Sequence, residues 1–206
     1  DLVRSRGLGD VYKRQHSRDS AEGLVRYMVS DLKDRLEPLG QLALLSDVAN
    51  AIDQHYDDTA EVVGMGVGNI EDPARVRNRA AVTALMGDVA RARGDLAAAN
   101  AAYAKAEILR DALVDVGGLP DYRADRAESH RQRGQLVRMQ GDLTASRAEF
   151  DKARAIRTAL FEAHPDVLIY RRAHVQSELD EADMATLLGD LPKAEASYRK
   201  AVDLAR

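Results

Sequence analysis

The tripeptide Gly-Asp-Leu stands at Gly94-Asp95-Leu96, returns at Gly141-Asp142-Leu143 and returns again at Gly189-Asp190-Leu191, at intervals of 47 and 48 residues. The shared frame extends well beyond the tripeptide. Five residues after each glycine stands a small side chain (Ala99, Ser146, Ala194), nine after it an aromatic one (Tyr103, Phe150, Tyr198), and twelve after it an alanine (Ala106, Ala153, Ala201). Seven before the first two glycines is another glycine, Gly87 and Gly134, with Ala182 in the third copy. Each offset has a packing reason. The glycine of the tripeptide can take the left-handed conformation that ends one helix, and the aspartate after it can cap the next. Two helices joined so tightly must lie antiparallel, and Gly87 or Gly134 on the first, with Ala99, Ser146 or Ala194 on the second, lets the backbones approach. The aromatic is expected to fill the gap toward the neighbouring pair, with the alanine below it keeping that contact close. No single pair can bury its apolar face alone, so copies must stack.

Composition agrees with close helix packing. Of 206 residues, 34 are alanine and 9 are aromatic, whereas strands favour β-branched and aromatic side chains. Thirty-one of the alanines lie beyond residue 50, where the repeat runs. There is no cysteine, which removes disulfides, thiolate metal sites and a cysteine nucleophile. The formal charge of −4 argues against nucleic acid as a partner, because phosphate binding needs a basic field. Apolar runs fall far short of the ~18–20 residues of a membrane span.

The repeated residues resemble the tetratricopeptide repeat (TPR) family, in which small residues, an aromatic and alanines take the same relative places in a helix–turn–helix unit. The consensus unit is about 34 residues long. The surplus here, divided between two helices, is roughly two turns each, so the core-facing stripe stays in phase. Pro73–Arg93 and Asp121–Gln140 read as long first helices; Ala97–Val114 and Thr144–Ala163 read as long second helices. Breaks are expected at Val116-Gly117-Gly118-Leu119-Pro120 and His164-Pro165-Asp166, both with turn chemistry. The aromatic common early in the family's first helix is replaced by Thr83, His130 and Glu178. The expected fold is all-α: an α-solenoid of antiparallel helix pairs, with three TPR-like repeats over 73–206 (about 73–117, 121–164 and 167–206), preceded by a helical hairpin. Long-period arrays of this type occur in bacterial proteins.

The residues before the array divide further. Residues 1–15, DLVRSRGLGDVYKRQ, show neither helical nor strand period and resemble a translated sequencing adaptor, so they are set aside as non-native or disordered. Without them 26 cations face 32 anions, a net charge of −6. Residues 16–57 read as a connector or cap hairpin, with Leu24, Met28, Leu32 and Leu36 on one face. Residues 58–72 read as a linker containing Gly64-Met65-Gly66-Val67-Gly68; no Gly-Lys pair occurs, so a phosphate loop is not expected.

Catalytic motifs are missing: no His-Glu-x-x-His, no Gly-x-Ser-x-Gly and no dinucleotide fingerprint. His174, Glu178 and Glu181 share a helical face that would suit a divalent cation, but a solvated acidic face with a helical His–Glu pair is the preferred reading. No enzyme activity, cofactor or metal is expected. Function is expected on the concave surface, which in the resembling family is lined by first helices. Carried over, its positions include Asp88 and Arg91, then Glu128, Arg131, Gln135 and Arg138, then Gln176 and Asp183. The Lys and Asn clamp with which some TPR domains hold a C-terminal carboxylate is absent. Arg91, Arg131 and Arg138 would make a strip for an acidic peptide unless Asp88, Glu128 and Asp183 pair with them, and that pairing is the preferred reading. The functional expectation is a cytoplasmic, non-catalytic scaffold binding a protein or peptide, cut from a larger bacterial protein. The alternative is a regulatory arm of a signalling enzyme with a kinase, TIR or caspase-like effector. Self-association through an uncapped C-terminal repeat is a further expectation.

Overall fold

The structure, a computed structural model, describes residues 72–206 and the single residue Arg35; the readings made for residues 1–15, 16–57 and 58–71 lie outside the described residues. From residue 72 onward six helices follow one another: α1 (Pro73–Ala92), α2 (Leu96–Gly117), α3 (Pro120–Met139), α4 (Leu143–Ala163), α5 (Leu168–Leu187) and α6 (Leu191–Ala205). The fold is all-α. Helices α1 with α2, α3 with α4 and α5 with α6 form the closest pairs, and α2 then packs on α3 and α4 on α5, with α1 also touching α3. This is the pair-on-pair stacking of a TPR-like solenoid.

The Gly-Asp step makes each intra-pair turn by one repeated device. Gly94, Gly141 and Gly189 have φ of 79°, 89° and 79°, a region in which a side chain is strained. Each glycine N–H donates to the carbonyl three residues back, and the following aspartate N–H reaches the one five residues back (Asp95 to Ala90, 2.9 Å; Asp142 to Val137, 3.2 Å; Asp190 to Ala185, 2.9 Å). That closes a Schellman motif. The same aspartate then turns round and caps the next helix, its carboxylate accepting from Ala98 N, Ala145 N and Lys193 N at 3.0, 2.9 and 3.2 Å. Each such cap contributes about 1 kcal/mol. Only three residues separate the helices of a pair, and all of them serve as caps.

The connections between pairs share no common device: two residues join α2 to α3 and four join α4 to α5. Helix α2 runs three residues beyond its expected end at Val114 and stops at Gly118, whose φ is 56°. Pro120 opens α3, as suits a residue lacking an N–H donor. Asp72, expected in the linker, is instead the cap of α1, accepting from Arg75 N at 3.0 Å.

The repeated small and aromatic residues build the core. Ala99, Ala106, Ala153, Ala182, Ala194 and Ala201 are all buried. Tyr103 lies with Ala99 and with Leu136 of the following pair in one cluster, so its ring reaches the neighbouring repeat as expected. It also does something not expected: it rests on Gly87 of its own pair, where any Cβ would collide with it. Phe150 sits on Gly134 in the same way, 2.9 Å from where a Cβ would stand. Tyr198 departs from the expected core position and is 41% exposed. Its slot is the same, but it lies on the last helix, and no helix of the described residues follows to cover it.

Candidate functional site

The first helices α1, α3 and α5 carry the eight positions expected to form the groove, and most are tied within the array. Asp88 is buried, accepts the Tyr103 hydroxyl at 2.7 Å and receives both contacts from Gln132 Nε2 at 3.3 Å. Arg91 donates to the same hydroxyl at 3.2 Å and lies 3.9 Å from Asp88. Burial, reinforced by the Asp88 carboxylate, holds the Tyr103 hydroxyl well above the usual tyrosine pKa, so it remains a proton donor. Asp183 accepts the Tyr198 hydroxyl at 2.7 Å. Asp88 and Asp183 each follow the repeated small residue by one, and each serves a tyrosine fifteen residues on. In the middle copy the ring is Phe150, which has no hydroxyl, and the corresponding position is Gln135, not an aspartate.

The remaining charged positions pair both within and between repeats. Arg131 donates to Asp180 at 3.0 Å and lies 3.6 Å from Glu128. Glu128 also accepts from Arg157 at 2.6 Å, and Gln176 donates to Asp180 at 3.1 Å. Gln135 and Arg138 differ: neither makes a side-chain hydrogen bond or ion pair to another described residue. They stand three positions apart on α3, half-buried, on the middle pair.

Across the joints between pairs runs a polar seam made mostly of residues outside the expected positions. Arg110 on α2 is 7% exposed and donates to Ser129 Oγ at 2.8 Å and Gln132 Oε1 at 3.1 Å on α3. Arg157 on α4, 47 residues later, is 5% exposed; besides Glu128 it reaches Ser177 Oγ at 3.4 Å and lies 3.9 Å from Asp180 on α5. Burial lowers the pKa of both guanidiniums, and surrounding carboxylates oppose it. The signal was present in the repeat frame: Ser129 and Ser177 are 48 apart, as are Gln132 and Asp180. The same slots hold Val82 and Leu85 in the first copy and Ala205 in the last. The seam therefore belongs to the joints between pairs.

The face of His174, Glu178 and Glu181 is neither a cation site nor a solvated acidic surface. All three are buried. His174 stacks on Phe161, with centroids 5.2 Å apart and planes at 15°, and its Nδ1 is 3.3 Å from the Thr158 hydroxyl. Burial pushes its pKa below the ordinary histidine value, against the pull of Glu178. Glu178 accepts from Lys200 at 2.8 Å; Glu181 pairs with Lys193 and lies 3.7 Å from both Arg147 and Arg154. Cations of α4 and α6 thus close over α5, and no group of three or more metal-ligating side chains among the described residues has the geometry to hold an ion.

The crystal structure of BtubC (BKLC) from P. vanneervenii is similar to this chain with a TM-score of 0.57 and 19% identity, over 91% of this chain and 64% of that one. This chain spans 64% of the length of that structure. At such identity the likeness concerns architecture. No protein-family model matches the chain, and no curated protein does. None of the described helices is long and apolar enough to cross a membrane.

Proposed function

We propose that the chain is a non-catalytic scaffold that binds a protein segment along the layer formed by α1, α3 and α5. The observation that carries the reading is the contrast among groove residues. Asp88, Arg91, Glu128, Arg131, Gln176 and Asp183 hold one another and their tyrosines in place, whereas Gln135 and Arg138 have no described partner. The tied residues make a rigid frame, and the untied pair offers an amide and a guanidinium to a ligand. A guanidinium beside an amide suits an extended acidic segment, whose carboxylates and peptide carbonyls both need donors. Rigid helical support lowers the ordering cost of such binding.

The test places a photo-crosslinking amino acid at Gln135 and asks whether one discrete protein is captured in cells. Arg138→Glu, at a half-buried position with no described ion-pair partner, is expected to abolish that adduct while leaving helicity and the unfolding midpoint nearly unchanged. An adduct indifferent to Arg138→Glu, or none at all, sinks the groove reading.

A further inference from the structure

Between α3 and α5 the layer of first helices opens into a cavity of about 180 Å3. Its walls are Ala124 on α3 and Ile169, Tyr170 and Ala173 on α5, and the buried Arg157 and Leu160 of α4 close its inner side. Ile169 is 68% exposed. The joint one repeat earlier carries a side chain in the corresponding place. Moved back by one repeat, Ala124 becomes Arg77, while Ile169, Tyr170 and Ala173 become Asp121, Tyr122 and Asp125. Arg77 engages all three of these: it donates to Asp121 and to Asp125 at 3.2 Å each, and its guanidinium carbon lies 6.0 Å from the centre of the Tyr122 ring. The first joint thus fills this place from within. In the second, the filling side chain is reduced to a methyl group, and both carboxylates that held it are replaced by hydrocarbon.

We infer that this cavity is a socket for one branched aliphatic side chain, a leucine or isoleucine, carried by the segment bound along α1, α3 and α5; the source of that side chain rests on the function proposed above. The first joint sets the size, since the corresponding place there holds a single long side chain. The exchanged residues set the chemistry. No carboxylate remains at the α5 positions to receive a cation, and the Arg157 guanidinium on the inner side repels one. Asp125 and Glu128 also border the cavity, but Arg77 holds the first, and Arg157 with Arg131 holds the second. The Tyr170 hydroxyl already donates to Asp121 at 2.9 Å, which leaves its ring as a wall. What Ala124, Leu160, Ile169 and Ala173 then offer is burial for a hydrocarbon group. Along α3, Ala124 stands eleven residues before Gln135, about 16 Å at the helical rise. An extended segment covers that span in about five residues, so one segment can reach Gln135 and Arg138 and also fill the socket.

Methyl NMR of the whole chain, labelled at isoleucine δ1, tests the socket with N-acetyl-leucine methylamide as the probe. The Ile169 signal is expected to shift saturably with a Kd on the order of 1 mM, the strength that about thirteen non-hydrogen atoms supply. The signal of Ile108, 70% exposed on α2, is expected to stay in place. N-acetyl-lysine methylamide is expected to leave Ile169 unmoved. Ala124→Leu fills the socket from within and should raise the Kd of the leucine probe about tenfold or more. Ala173→Leu fills it from the other wall and should do the same, with circular dichroism checking that both variants keep their helices. No saturable shift at Ile169, an equal response to the lysine probe, or a shift that survives both substitutions overturns the socket, whatever is found at Gln135. So does a protein adduct at Gln135 that forms equally well in Ala124→Leu. Failure of the groove reading shows separately, as an intact Ile169 response in a chain that captures no protein at Gln135.

Discussion

A Cβ added at Gly134 would stand 2.9 Å from Cε1 and 3.0 Å from Cδ1 of Phe150, and one at Gly87 would meet the Tyr103 ring more closely still. Ring and glycine are therefore one unit. Gly134→Ala is expected to cost about 1–2 kcal/mol, overpacking outweighing the better helix propensity of alanine. In a Phe150→Leu background the added methyl finds space, so urea denaturation should show the cost of Gly134→Ala falling below about 0.5 kcal/mol. Equal costs in both backgrounds would remove the coupling. The third copy already carries the methyl, at Ala182, and there the ring is Tyr198, largely at the surface. At this scale the sequence was informative about which residues are small and which are aromatic, because both recur at fixed offsets. It was silent on exposure. An offset identifies a slot, but whether Tyr198 is buried depends on the presence of a further helix, which no local pattern encodes.

Helices are joined here by unlike means, and the two internal joints are where charge has been buried. Arg157 faces Glu128, Ser177 and Asp180, whereas Arg110 faces the neutral Ser129 and Gln132. Replacing each by methionine separates the two cases. Arg157→Met removes the closest cation from Glu128, while Arg131 still pairs with both Glu128 and Asp180; it should cost about 2–4 kcal/mol, somewhat less than a fully broken buried pair. Arg110→Met leaves only neutral groups unsatisfied and should cost about 1–3 kcal/mol. Thermal unfolding of both variants measures the difference, and a larger loss at Arg110 would contradict the assignment of partners. Helix number, order and approximate ends were legible, since capping and turn chemistry act within a few residues. The seam was not, because its partners lie 19–29 residues apart in sequence on separate helices and look individually like surface arginines. The candidate groove was legible only as positions. Which of those residues are already engaged, and that Gln135 and Arg138 are not, depends on distances between helices.

The molecule is a stack whose members are held together unequally. Within a pair, the Gly-Asp turn has no slack and the helices touch along their length; between pairs, the contact is smaller and the chain crosses at Gly118-Leu119 or at His164–Val167. Held by its two ends and drawn apart, such a chain concentrates the load at the joints between pairs. A pair that comes away has lost the neighbour that buried its apolar face, and it unravels at once. Optical-tweezers extension should then show rips of about 47 residues, roughly 160 Å of contour each, with few rips of half that length. Prevalent half-length rips would mean that the turn yields before the joint. The hinge-free Gly-Asp corner would thus make the array a ratchet with pair-sized teeth, lengthening in units set by the period of its own sequence.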